Sequence, residues 1–357
     1  YKKYSVLSVC ARHTTPSRQR SWETIGTHPC RPGALFSVNS PVFTSLIPVI
    51  LFIAIGFYVG RRGWIRAESV KDLANLVFMV LAPALLFRTM AGVHVQELDF
   101  GPIAVYFGGV ALVFGATLAW AGFSTLGAVR ALGHTFSNNV MVGVPLVGLV
   151  FGQAGLVTLF TLISVHALIL LTVATVVLEL ALARSQPGGT DDQALVPPAL
   201  WRMVLQALWS GLVHPVPLPI MAGLLYAQTG WPIPPLIDKP LQLLGQALGP
   251  LALLLVGVTL AFSTVGPHFR AALRIALVKN ATLPLAVGTL GWALGLSGLP
   301  LAVMVTAAAL PVGANVFLFA QRYEVGQDEM TAGVTVSTAL GMATVPVVLW
   351  VVTRWAV

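Results

Sequence analysis

Charge is scarce in this chain. Of 357 residues only 9% are Asp, Glu, Lys or Arg and 57% are hydrophobic, where soluble domains carry about 25% charged residues; a soluble globular fold is excluded. Cysteine is scarcer still. Its two copies, Cys10 and Cys30, both precede the apolar body, which is left without a thiol nucleophile or thiolate ligand. No Asp or Glu lies deep in any apolar run, and neither a His-Glu-x-x-His metal motif nor a pair of intramembrane aspartates occurs. These absences argue against an intramembrane enzyme, with only a Ser–His pair left open. No metal or cofactor is expected.

What the chain has instead is length in apolar runs. Runs of about 20 residues, each enough to span a hydrocarbon core about 30 Å thick, recur along it. They predict helices over 41–60, 70–91, 101–122, 134–151, 155–180, 203–227, 240–263, 270–296, 299–320 and 331–353. An all-α polytopic membrane protein of ten helices follows, with the lipid bilayer as its solvent. The formal charge of +8 points toward nucleic acid only if the placement of the cations is ignored. Loops after odd helices hold Arg61, Arg62, Arg66, Lys71, Arg130, Arg184, Arg202, Arg270, Arg274 and Arg322, whereas those after even helices and the C-terminus hold Arg88, Lys239 and Arg354. The positive-inside rule makes the odd loops cytoplasmic, so both ends of the ten-helix body are expected outside.

Residues 1–38 contradict that arrangement, because they are polar and basic and would put six cations outside. They lack a signal peptide's apolar core, and no Met precedes Met79. The tail is expected to be upstream sequence translated in error, with initiation near Val38; a disordered outer tail and a disulfide-linked pair are the alternatives. Residues found before about position 35 by N-terminal sequencing of native protein would reject the first expectation.

Two segments align without gaps at a shift of 167: "IPVILFIAIGFYVGRRGWI" from Ile47 and "HPVPLPIMAGLLYAQTGWP" from His214. Pro48 meets Pro215, Gly56 meets Gly223, Gly63 meets Gly230, Trp64 meets Trp231, and the same shift carries Pro83 onto Pro250. Shared hydrophobicity alone does not match Pro, Gly and Trp at one offset. Helix 1 runs inward and helix 6 outward, so the halves, 39–183 and 201–357, read as inverted five-helix repeats joined by a cytoplasmic linker at 184–200.

The fourth helix of each half carries helix breakers. Gly143 and Pro145 interrupt "TFSNNVMVGVPLVGLVFG", and Pro311 and Gly313 interrupt "ALPVGANVFLFAQRY". Proline removes a donor and glycine permits unwinding. In a membrane such backbone survives only inside protein or beside a wet cavity, and paired interruptions in two halves point to a transporter's binding site.

These two motifs, with "LAPALLF" in helix 2, resemble the auxin efflux carrier family over residues 39–357. The resemblance implies a fold similar to sodium/proton antiporters and bile acid symporters, with helices 4 and 9 broken and crossing at the midplane. It also implies a small organic anion as substrate, a bacterial cell-membrane permease, and a homodimer as the assembly its relatives form. The intramembrane carboxylate pair that holds sodium or protons in antiporters of that fold is missing here, which favours facilitated or potential-driven movement of the anion.

Asn138, Asn139 and Asn315 flank the breaks. Their carboxamides can donate to a carboxylate, beside the partial positive charge of half-helix N-termini; alternatively they satisfy broken backbone or join helices. On the expected break positions all three cluster on the cytoplasmic side of the crossing. Lys279 is the only Lys or Arg deep in a span and could attract the anion, replace a coupling cation, or snorkel to the interface. His166 is either a packing residue or a proton carrier. The expected function is a secondary transporter or facilitator of a small mono- or dicarboxylate working by alternating access. A sodium- or proton-coupled symporter and a membrane sensor or scaffold are the alternatives.

Overall fold

The computed structural model describes residues 41–185, 215–263 and 265–355, together with Leu205 and Trp209. The tail at 1–38 and nearly all of the linker at 184–200 therefore lie outside the described residues. Every regular element described is a helix.

The chain enters as α1 (Pro41–Arg61) and continues as α2 (Ser69–Met90), which widens into a π turn at Val77–Leu81. α3 (Gly101–Ala121) leads to the short α4 (Thr125–Thr135), capped by Ser124, whose Oγ accepts from the Gly127 amide at 3.0 Å. A π turn at Asn139–Gly143 opens α5 (Val144–Ser185), which bends at Gly152, where φ is 62°. After the linker come α6 (Pro217–Ala227), α7 (Pro235–Phe262) and α8 (Gly266–Ala293), the last with a π turn at Val278–Thr282. α9 (Gly298–Ala309), α10 (Asn315–Arg322) and α11 (Gln327–Trp355) complete the described chain.

Six of these helical stretches are long and apolar enough to cross a membrane: α2, α3, α5 with its π turn, α7, α8 and α11. Leu46–Arg61, α6 and α9 are shorter and apolar. The protein is thus a multi-pass helical membrane protein. Exposed aromatic residues of the kind expected at a membrane interface, Trp64 and Trp231, lie just past the ends of α1 and α6. Each Trp follows a glycine with positive φ, 71° at Gly63 and 67° at Gly230.

Packing divides the helices into two groups. α1 runs along α7 and α2 along α6 and α7; α3, α4, α5, α8, α9, α10 and α11 pack mostly on one another. Backbone meets backbone in the first group. A Cβ on Gly56 would overlap the carbonyl oxygen of Leu254, and one on Gly223 would approach that of Phe87 to 2.6 Å. The two glycines stand 167 positions apart, and so do Phe87 and Leu254.

Candidate functional site

Two helices lose their ladder at the centre of the second group. Between α4 and the π turn, residues 136–138 are not helical, and neither, between α9 and α10, are residues 310–314. The two stretches pair antiparallel at Ser137 and Val312. The amide of Asn138 donates to the Pro311 carbonyl at 2.9 Å, and the amide of Gly313 donates to the Phe136 carbonyl at 3.0 Å. Each break thus supplies partners the other lost, at about 1 kcal/mol net per bond and more if left unmade in the interior.

Glycine makes the approach close enough. A Cβ on Gly313 would lie 2.8 Å from the Phe136 ring and 3.1 Å from the Ser137 carbonyl oxygen; one on Gly143 would lie 2.7 Å from a Leu310 methyl. Pro311 sits in the second break itself. Gly143 and Pro145, by contrast, do not mark the first. That break lies at 136–138, before them, because the π turn at Asn139–Gly143 restarts the helix and puts Pro145 in the first turn of α5, where a missing N–H costs little. The shift also moves the asparagines. Asn138 and Asn139 follow Ser137, Asn315 follows Val312, and antiparallel strands carry such followers to opposite sides of the crossing rather than to one mouth.

The remaining freed groups are met by side chains from neighbouring helices. Lys279, fully buried in the π turn of α8, donates from Nζ to the carbonyls of Ala308 and Leu310 at 2.6 Å each. It therefore caps the C-terminal end of α9, where the helix dipole favours a cation, and does not snorkel. The Val312 amide donates to Ser337 Oγ at 3.0 Å, and Asn280 Nδ2 donates to the Ser337 carbonyl at 2.8 Å. At the first break, Tyr106 Oη lies 3.1 Å from Ser137 Oγ and 3.2 Å from His166 Nε2, all three buried, with the His166 ring edge-on to Phe136 at 4.7 Å.

The asparagines differ. The Asn138 Oδ1 accepts from the Met141 amide at 3.3 Å, and Asn315, half-buried, opens α10. Asn139 is 4% exposed, and neither Nδ2 nor Oδ1 has a hydrogen-bond partner. Beside the crossing, a small cavity of about 30 Å³ lies between Leu46, Val49 and Ile53 of α1 and Val142, Pro311 and Gly341. It is apolar and lies at the boundary between the two packing groups.

Sequence reasoning missed α4, Tyr106, Ser137 and Ser337. One signal was present: Tyr106 precedes the helix-starting Ser124 by 18 residues, as Lys279 precedes Ser297. The two large buried polar side chains thus hold corresponding places, each bonded to the break that follows it.

Interrupted apolar helices bonded through their breaks define a membrane protein whose interior offers polar groups at mid-span. The family described as membrane transport protein matches residues 41–350. This chain belongs to that family, the auxin efflux carrier family. It is 26% identical over 319 residues to a putative malonate transporter of Rhizobium meliloti (strain 1021), covering 86% of this chain and 94% of that one. It is 25% identical over 325 residues to the uncharacterized transporter YfdV of Escherichia coli (strain K12), covering 86% and 95%. To auxin efflux carrier component 8 of Arabidopsis thaliana it is 21% identical over 241 residues, covering 58% and 66%.

Proposed function

We propose that the protein is a secondary transporter or facilitator that carries a small organic anion across the cell membrane by alternating access. The observation that carries this reading is the crossing at Ser137 and Val312, with Asn139 unpartnered beside it and a pocket next to it where two helix groups meet. An anion bound there is reached from one side or the other as the groups shift. Asn138, Asn139 and Asn315 contact it, Lys279 supplies the field of a buried cation, and Gly143, Pro145, Pro311 and Gly313 shape the surroundings. Relatives named for malonate and auxin support a carboxylate.

The architecture under this reading is ten helices in two inverted repeats. α4 with the first part of α5 forms the fourth helix, and α9 with α10 forms the ninth. The paired contacts of Gly56 with Leu254 and Gly223 with Phe87, all at the repeat spacing, support the duplication. Both ends of the body lie outside and the linker is cytoplasmic. Two bidentate ion pairs agree with that orientation: Arg88–Asp238 joins ends assigned outside, and Arg130–Glu329 joins positions assigned inside. A proton-coupled variant is favoured by one observation, the bonded chain from His166 through Tyr106 to Ser137.

Counterflow of labelled malonate, malate, pyruvate or indole-acetate into proteoliposomes tests the reading. Saturable uptake is expected, and Asn139→Ala or Asn315→Ala should lower it at least tenfold in uptake efficiency, about 1.4 kcal/mol of lost anion contact. Absence of saturable flux for every carboxylate would sink the transporter reading; unchanged flux in both variants would sink the site.

A further inference from the structure

Resting on the transporter reading above, we propose that the site takes a dicarboxylic acid as its monoanion, with one carboxyl ionised and the other protonated and paired to Asn139. Asn139 Nδ2 and Oδ1 are both sealed from solvent and both without partners. Among the described residues the other such side-chain atom is Asn280 Oδ1, whose Nδ2 is already spent on the Ser337 carbonyl. Asn138 has its oxygen taken by Met141. Asn139 thus presents a buried donor and acceptor side by side, both unmet.

An ionised carboxylate only accepts. Against Asn139 it would satisfy Nδ2 and set a charged oxygen near the orphaned Oδ1. A protonated carboxyl carries an O–H and a C=O in one plane and meets both atoms at once, removing two desolvation penalties of about 1–3 kcal/mol each. The charge inventory agrees. Lys279 already gives two of its three protons to the Ala308 and Leu310 carbonyls, and the guanidinium groups of Arg88 and Arg130 are each held by a carboxylate. A dianion would bring two charges to a buried place with one committed cation, at a high desolvation cost; a monoanion brings one. Its ionised end is left to Asn138 Nδ2, which makes no hydrogen bond among the described residues.

The π turn bearing Asn139 packs against α5, α7 and α9. Of these, α5 carries His166, Glu179 and Arg184, α7 carries only Asp238 and Lys239 at its start, and α9 carries no titratable residue. Lys279 and Tyr106 approach the breaks from α8 and α3.

The test is uptake of labelled malonate by the full chain in proteoliposomes, at pH values on both sides of malonate's second ionisation, with malonamate as competitor. Malonamate keeps a single negative charge, and its amide end always offers a donor and an acceptor. The half-saturating total malonate should rise about tenfold per pH unit above that ionisation, following the monoanion fraction. Malonamate should compete with a strength that does not change with pH, and Asn139→Ala should abolish that competition. Constant affinity for the dianion, no competition by malonamate, or transport confined to monocarboxylates would each overturn the inference while leaving the transporter intact. No saturable uptake of any carboxylate would remove both together.

Discussion

The two breaks share a topology and differ in chemistry. At the second, the freed carbonyls of α9 are met by a cation, Lys279; at the first, the neighbouring helices offer neutral groups, Tyr106 on the Ser137 hydroxyl and, through it, His166. The difference shows that a crossing needs its backbone satisfied but does not need a charge at each arm. A single cation suffices for the pair, and it sits at the C-terminal end of a half-helix, where the dipole already favours it. Among the described residues, Asn139 on the neutral arm leaves both of its side-chain polar atoms without partners, whereas Asn280 on the cationic arm leaves only its Oδ1.

Substituting Lys279 tests that asymmetry most severely. Lys279→Met strands two carbonyl oxygens in the interior and should cost about 3–5 kcal/mol, read as a large drop in thermal unfolding temperature of the detergent-purified protein together with loss of flux. An unchanged midpoint would mean the second break does not depend on the cation. Gly313→Ala comes next. Its Cβ meets an aromatic ring and a backbone oxygen, so the crossing must open, at about 1–3 kcal/mol. Gly143→Ala meets only the end of a leucine side chain and should cost clearly less in the same assay. The smallest effect belongs to Tyr106→Phe, which deletes one hydroxyl and should cost about 1 kcal/mol; a loss as large as that of Lys279→Met would erase the distinction between the arms.

Much of this was legible from apolar length, and the residues that were misread explain why the rest was not. The helical, membrane-spanning character follows from the scarcity of charge. α4 escaped because Arg130 makes the stretch after residue 122 read as a loop, with the next helix expected only from His134. Both are met only in three dimensions, Arg130 by Glu329 at 2.8 Å and His134 by Thr117 at 2.9 Å. Thr117 gives its one proton to the Val113 carbonyl, so His134 Nδ1 is the donor to it. The first break was placed late because proline is a strong local signal, whereas the actual unwinding at Phe136, Ser137 and Asn138 carries none. It is held open by Pro311 and Gly313, about 175 positions away. Lys279 was singled out by its charge, but its two carbonyl partners depend on a break in a different helix.

The glycine contacts of the first group bear on how such a molecule can deform. Where Gly56 lies on the Leu254 carbonyl and Gly223 on that of Phe87, there is no layer of side chains to act as a bearing, so one helix cannot slide over the other without main chain striking main chain. Along the boundary between α1 and α11 the surfaces that meet are Ile50, Met342, Val345 and their neighbours, side chains that can change rotamer as they pass. The frame is keyed and the seam is lubricated, which makes that seam the line along which shear costs least.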